Sequence, residues 1–116
     1  YLLSAQNHSS LMDQINFYKI KHLFQTINGT NNLHARGKNL LATNLLRSEK
    51  IDKKGVLFIG DTNLDMDLAL QNGAKALGVT YGHQSKHRFL NSQDIFLCDS
   101  PISLKTCLFS KFLENR

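Results

Sequence analysis

"VLFIGDTNLDMDLALQNGAKALGVTYG", residues 56–82, decides how this chain is read. Val56 to Ile59 is a continuous apolar run, as expected for a strand covered on both faces in a parallel sheet. Gly60 then lets the backbone turn sharply. The helix that follows carries Leu64 and Leu68 one turn apart and stops at Asn72-Gly73, a C-terminal cap. Ala76 to Thr80 is the next strand. Asp61 and Asp65 sit on the turn between strand and helix, spaced so that both carboxylates can face one point beyond the strand end. Hard oxygen ligands there suit Mg²⁺, which takes one or two carboxylates and completes its octahedron with water and substrate phosphate. Thr62-x-x-Asp65 equally fits a capping box. The spacing alone supports both readings, and both can hold at once.

Outward from this stretch the alternation continues. Tyr1 to Ala5 is a short apolar run, followed by a helical pattern that Asn7 to Ser10 can cap and that reaches about Tyr18. Phe24 to Asn28 reads as a second short strand ending in the turn-rich "NGTNN". Between Lys38 and Glu49, Leu41, Leu45 and Leu46 mark one apolar helix face. Ile95 to Leu97 is a weaker strand, and Leu104, Leu108 and Phe112 stripe a last helix. The fold class is therefore α/β, a layered, Rossmann-like parallel sheet with right-handed crossovers. In such sheets ligands bind at the carboxyl ends of the strands. Ser4, "GTNNLHARGK", "GDTNLD" and "YGHQSKH" all fall there.

Composition limits the partners. With 116 residues and 13.1 kDa the chain has room for one core, a single domain or part of one. No apolar run approaches a membrane span. Two cysteines, Cys98 and Cys107, are too few and too far apart for a disulfide framework. They read as small buried hydrophobes in a reducing, cytoplasmic setting. The net charge of +5 is spread through KIKH, RSEK, DKK and SKHR, with no aromatic stacking ladder between the cations, which argues against nucleic acid. His83 and His87 are four apart, but the zinc-protease pattern needs HExxH and this reads HQSKH. His8 and His34 fall on loops at the rim of the presumed site.

The 56–82 stretch resembles the fourth motif of the haloacid-dehalogenase (HAD) superfamily of phosphohydrolases, especially its phosphoglycolate-phosphatase-like branch. There a buried strand enters G-D-[ST]-x-x-D, then a helix ending in glycine, then a strand of the form xxGVxxG. "YLLSAQ" resembles the second motif, and "GKNLLATNLL" the third. "DIFLCDSPISLKTCL" resembles the closing strand and helix. The resemblance implies a HAD-like core over residues 1–116. Ser4 would hydrogen-bond the transferred phosphoryl group, Lys38 would neutralise phosphate and nucleophile, and Asp61 and Asp65 would hold Mg²⁺. It further implies a small phosphorylated metabolite as substrate and an aspartyl-phosphate intermediate.

One departure stands against these matches. Family members begin with a strand ending in D-x-D-x-[TV], whose first aspartate attacks phosphorus. The D-x-D of this sequence, Asp65-Met66-Asp67, lies inside the fourth motif and runs on into a helix. The expectation is a C-terminal part of the core that lacks the nucleophile strand and the cap and is inactive alone. Tyr1–Ser4 and Val56–Ile59 would then be inner edges not bonded to each other, and the absent strand, or a homologous one, would be a partner by β-augmentation. The alternative is a non-catalytic HAD-like binding module, and a basic nucleic-acid-binding α/β domain is a third.

Overall fold

The computed structural model describes residues 1–31, 36–82, 89 and 95–113, with the backbone alone at 36 and 37. His34, His83 and His87 lie outside the described residues. The chain divides into two compact units, Tyr1–Ile51 and Asp52–Arg116.

In the N-terminal unit, β1 (Leu2–Asn7) and β2 (Ile27–Thr30) form a parallel pair. The helices α1 (His8–Phe17) and α2 (Arg36–Ser48) each pack across both strands. Leu11 and Ile15 of α1, spaced four apart, are buried, as are Ala42 and Leu46 of α2. Leu41 and Leu45 flank them, half-buried. The second strand starts three residues later than the Phe24–Asn28 run implied. Phe24 instead ends a short 3₁₀ turn, Lys21–Leu23, and "NGT" belongs to the strand. Thr30 explains the shift, because its buried hydroxyl donates to the Ala5 carbonyl at 2.8 Å. A residue that reads as turn-forming thus closes the ladder from inside.

Both helices of this unit end in the same way. Beyond Tyr18, Lys19 adopts φ 56° and the Ile20 amide reaches back to the Ile15 carbonyl. Beyond α2, Lys50 adopts φ 52° and Ile51 reaches back to Leu46. These are Schellman turns with lysine where glycine is usual. A cation beside the helix carboxyl end is favourable, but a Cβ in the left-handed region costs roughly 1–2 kcal/mol. Lys19→Gly and Lys50→Gly should therefore each raise stability by about 0.5–1 kcal/mol, after allowance for the freer unfolded chain. Urea denaturation midpoints check this, and unchanged or lowered midpoints refute it.

In the C-terminal unit, β3 (Leu57–Gly60), β4 (Lys75–Val79) and β5 (Ile95–Cys98) form a parallel sheet in that order. The register is regular, with Phe58 opposite Ala76 and Leu77 opposite Phe96. Side-chain alternation gives the sheet two apolar faces. Helix α3 (Asn63–Gln71) covers one, where Met66, Ala69, Ala76 and Phe89 pack with Val56, Phe58, Ile95 and Leu97. Helix α4 (Pro101–Cys107) and a π-helical turn, Leu108–Leu113, cover the other. There Leu77, Val79 and Cys98 pack with Leu57, Phe96, Leu104 and Phe112. The Phe96 and Phe112 rings meet edge to face at 5.1 Å, and the Lys111 ammonium lies 4.9 Å from the Phe96 centroid.

Two apolar positions depart from the sequence reading. Leu64 was expected beside Leu68 on the packed face, yet it is 68% exposed while Leu68 is buried. The buried stripe of α3 is instead Asp65, Met66, Leu68 and Ala69. Ile59, expected to be covered, is 47% exposed. It lies near the end of β3, which among the described residues of its sheet bonds to β4 alone. Leu3 pairs with Asn28 and Phe58 with Ala76, so β1 and β3 belong to different hydrogen-bonded sheets.

Candidate functional site

The acidic turn is built by its own residues. Thr62 is the N-cap of α3, and its hydroxyl accepts the Asp65 amide at 3.3 Å. In return, Asp65 Oδ2 accepts the Thr62 amide at 3.3 Å and the Thr62 hydroxyl at 3.0 Å. The capping box is complete, and it satisfies donors that a helix start otherwise leaves unpaired. Asp65 is buried, 8% exposed, and a carboxylate beside the positive end of a helix is held favourably.

Two glycines make room for the two carboxylates. A Cβ added to Gly60 would overlap the Asp65 side chain, coming within 2.5 Å of Oδ2. A Cβ added to Gly82 would come within 2.6 Å of Asp61 Oδ2. Asp61, half-buried, therefore reaches from the end of β3 to the backbone just past β4. Its carboxylate lies at the carboxyl ends of adjacent parallel strands, where open α/β sheets bind ligands. Asp65 turns its carboxylate onto the turn itself. With Oδ2 engaged by Thr62, it has at most one other oxygen for a cation.

No group of three or more His, Cys, Asp or Glu side chains gathers among the described residues. A donor set of one or two carboxylates does not suit zinc or copper, which prefer nitrogen and sulfur. It does suit Mg²⁺, whose remaining positions are taken by water and phosphate. The Gly82 and Gly60 clearances fit such a pair of oxygen donors.

Ser4 and Lys38 both belong to the N-terminal unit. Ser4 was expected where the first strand ends, but β1 runs on to Asn7 with a break in register between Leu3 and Asn7. Ser4 opens that bulge, and its Oγ accepts the Gln6 amide at 3.1 Å. A hydroxyl accepting in this way still has its proton to give. Bulges re-aim side chains beside active sites. Lys38 is half-buried in the first turn of α2, the helix packed on β1. A cation at that end of a helix gains nothing from the dipole.

Another residue of this unit, placed on a loop by the sequence reading, lies on a helix instead. His8 is the first residue of α1, capped by Asn7, whose Oδ1 accepts the amides of Ser9 and Ser10. His8 Nδ1 accepts the Gly29 amide at 3.2 Å, so the neutral ring carries its proton on Nε2. Gly29 is needed for this approach, since a Cβ there would lie 2.6 Å from His8 Cα. Nothing in the spacing of His8 and Gly29, 21 residues apart, announces the contact.

Comparison with known proteins follows the same lines. The family model described as haloacid dehalogenase-like hydrolase matches residues 2–79, which include Ser4, Lys38, Asp61 and Asp65. A haloacid dehalogenase-like hydrolase from Streptococcus pneumoniae superposes with a TM-score of 0.73 at 24% identity, over 90% of this chain and 49% of its own. A structure described as a predicted phosphatase from Clostridium acetobutylicum superposes with a TM-score of 0.81 at 23% identity, over 91% of this chain and 50% of its own. The chain thus spans about half the length of the solved structures it matches. No curated protein matches it significantly. Among the described residues no helix is long and apolar enough to cross a membrane. With more than half of its residues under the family model, and parallel strands carrying the acidic turn, the chain belongs to the haloacid dehalogenase-like hydrolases.

Proposed function

We propose that this chain carries the metal-binding and phosphate-binding portion of a Mg²⁺-dependent phosphatase for small phosphate monoesters, phosphoglycolate among the candidates. The observation that supports it most is the pair of carboxylates on one strand-to-helix turn, each against a glycine that admits it. Asp61 supplies the carboxylate that reaches past β4. Asp65 secures the turn and stands as a second, weaker donor. When bound, Mg²⁺ screens charge between an anionic nucleophile and an anionic substrate. Ser4 donates its hydroxyl proton to a phosphoryl oxygen, and Lys38 offsets the negative charge that the phosphoryl group brings. The aspartate that accepts the phosphoryl group, in a D-x-D-x-[TV] segment, is supplied from outside residues 1–116 and passes the group to water. Residues 1–116 alone release no phosphate, because these groups stabilise a transferring phosphoryl group and cannot accept it.

Mn²⁺ titration followed by NMR tests the metal role without activity. Mn²⁺ should broaden amide signals of residues 60–64 in the wild type and leave them sharp in Asp61→Asn. Equal broadening in both refutes the assignment. Joining a D-x-D-x-[TV] strand upstream should give aryl-phosphate hydrolysis that Lys38→Ala lowers about 100-fold or more. Turnover by residues 1–116 alone, abolished by Asp61→Asn, would overturn the division of labour. A non-catalytic binding module is the second reading, since the capping box accounts for Asp65 without any metal. It gains if Mn²⁺ broadens nothing.

A further inference from the structure

The two cysteines lie nine positions apart and play no part in the chemistry above. Cys98 closes β5 with 3% of its surface exposed and faces the layer formed by α4. Ser103 and Cys107 are four residues apart on α4, hence on one face of it. Cys107 packs against the cluster of Leu77, Val79 and Cys98. Ser103 and Cys107 both lie close enough to the Cys98 thiol to act on it. Both cysteines are free.

We propose that Cys98 and Cys107 are an oxidation site, a dithiol that closes to an intramolecular disulfide when a peroxide supplies the oxidising equivalents. The pair divides the labour by environment. Burial, with the neighbouring Cys107 and Asp99, pushes the Cys98 thiol up against the lowering effect of Ser103, so Cys98 stays protonated and inert toward bulk reagents. Cys107 is only half-buried and is the point of entry. Its thiolate attacks one peroxide oxygen, the O–O bond breaks, and the departing oxygen leaves as water after taking a proton. Cys107 is then a sulfenic acid. The Cys98 sulfur attacks the Cys107 sulfur, the S–S bond forms and the S–O bond breaks, and the hydroxyl leaves as water with the Cys98 proton. Two electrons pass from the two sulfurs to the peroxide, and a dithiol reductant reverses the change. The bond would tie the end of β5 to the end of α4, where the π-helical turn begins.

The test is near-stoichiometric hydrogen peroxide on the native chain at neutral pH, followed by intact mass, maleimide labelling and peptide mapping. The expected product is a monomer lighter by two hydrogen atoms, with no labelled thiol, a Cys98–Cys107 cross-linked peptide and full recovery with dithiothreitol. Cys98→Ala should stop at a sulfenic acid on Cys107 that dimedone traps, whereas Cys107→Ser should lose its remaining thiol about tenfold more slowly than the wild type. The wild-type peptide map stands whether or not the variants fold. Oxygen added to Cys107 with Cys98 still free, cross-linked dimers, or reaction only after unfolding would each overturn the proposal.

Discussion

Gly60→Ala should destabilise the C-terminal unit by about 3 kcal/mol, more than an alanine in a strand ordinarily costs. The added Cβ would overlap the Cβ, Cγ and Oδ2 of Asp65, and this is not the far end of a flexible chain. Asp65 is fixed at both ends, by its backbone in the first turn of α3 and by its carboxylate on Thr62. The helix start must shift away from β3 or the capping box must open. Opening it alone costs about 1 kcal/mol, and the rest is overpacking against buried Met66 and Ala69 behind the same turn. A double-mutant cycle with Asp65→Gly, which removes the obstructing Cβ, isolates the clash. Its coupling should be at least about 1 kcal/mol in the direction of rescue. Additive effects in urea denaturation would show that the cost lies elsewhere in the strand. Because Gly82 stands against Asp61 in the same manner, the two glycines are steric partners of the two carboxylates, not merely flexible joints.

The second large effect is in the core. Leu77→Ala should cost about 3 kcal/mol, whereas Ile59→Ala, one strand away in register with it, should cost less than about 1 kcal/mol. Leu77 is fully buried on the central strand of its sheet, against Val79, Cys98, Leu57, Phe96, Leu104 and Phe112. Little of the resulting cavity can collapse, since the strand is held on both sides by β3 and β5. Ile59 already leaves 47% of its surface in water. Equal losses for the two variants would mean that β3 is covered in solution on the face left open here. Such a result would also bear on the edge that was expected to receive a further strand.

The strand, turn and helix of residues 56–82 were legible because each signal is local. A capping box needs only residues three apart, and a helix stop needs only Gly73 free to take φ 69°. Helix α1 could be read from Asn7 for the same reason. The family also followed from this stretch, and the match over residues 2–79 agrees. Less was legible where two local readings competed. Asp65 served a metal and a cap equally well on paper, and only its hydrogen bonds to Thr62 show the cap made. In "NGTNN" the turn residues carried the stronger local signal. They lost at Thr30, whose buried hydroxyl bonds a carbonyl 25 residues away.

The sequence by itself determined the order of strands and helices, the caps that bound them and the position of the acidic turn. All three depend on neighbours within about one helical turn, whose geometry is set by the backbone. The tertiary structure decided which apolar side chains are covered, since periodicity offers Leu64 and Leu68 alike and only Leu68 is buried. It decided the bulge at Ser4, the docking of His8 on Gly29, and the packing of Cys107 against the cluster that holds Cys98. Each of these joins segments whose separation along the chain carries no record of their distance in space. Such contacts form only when the elements pack, and close packing admits one arrangement where local preference admits several.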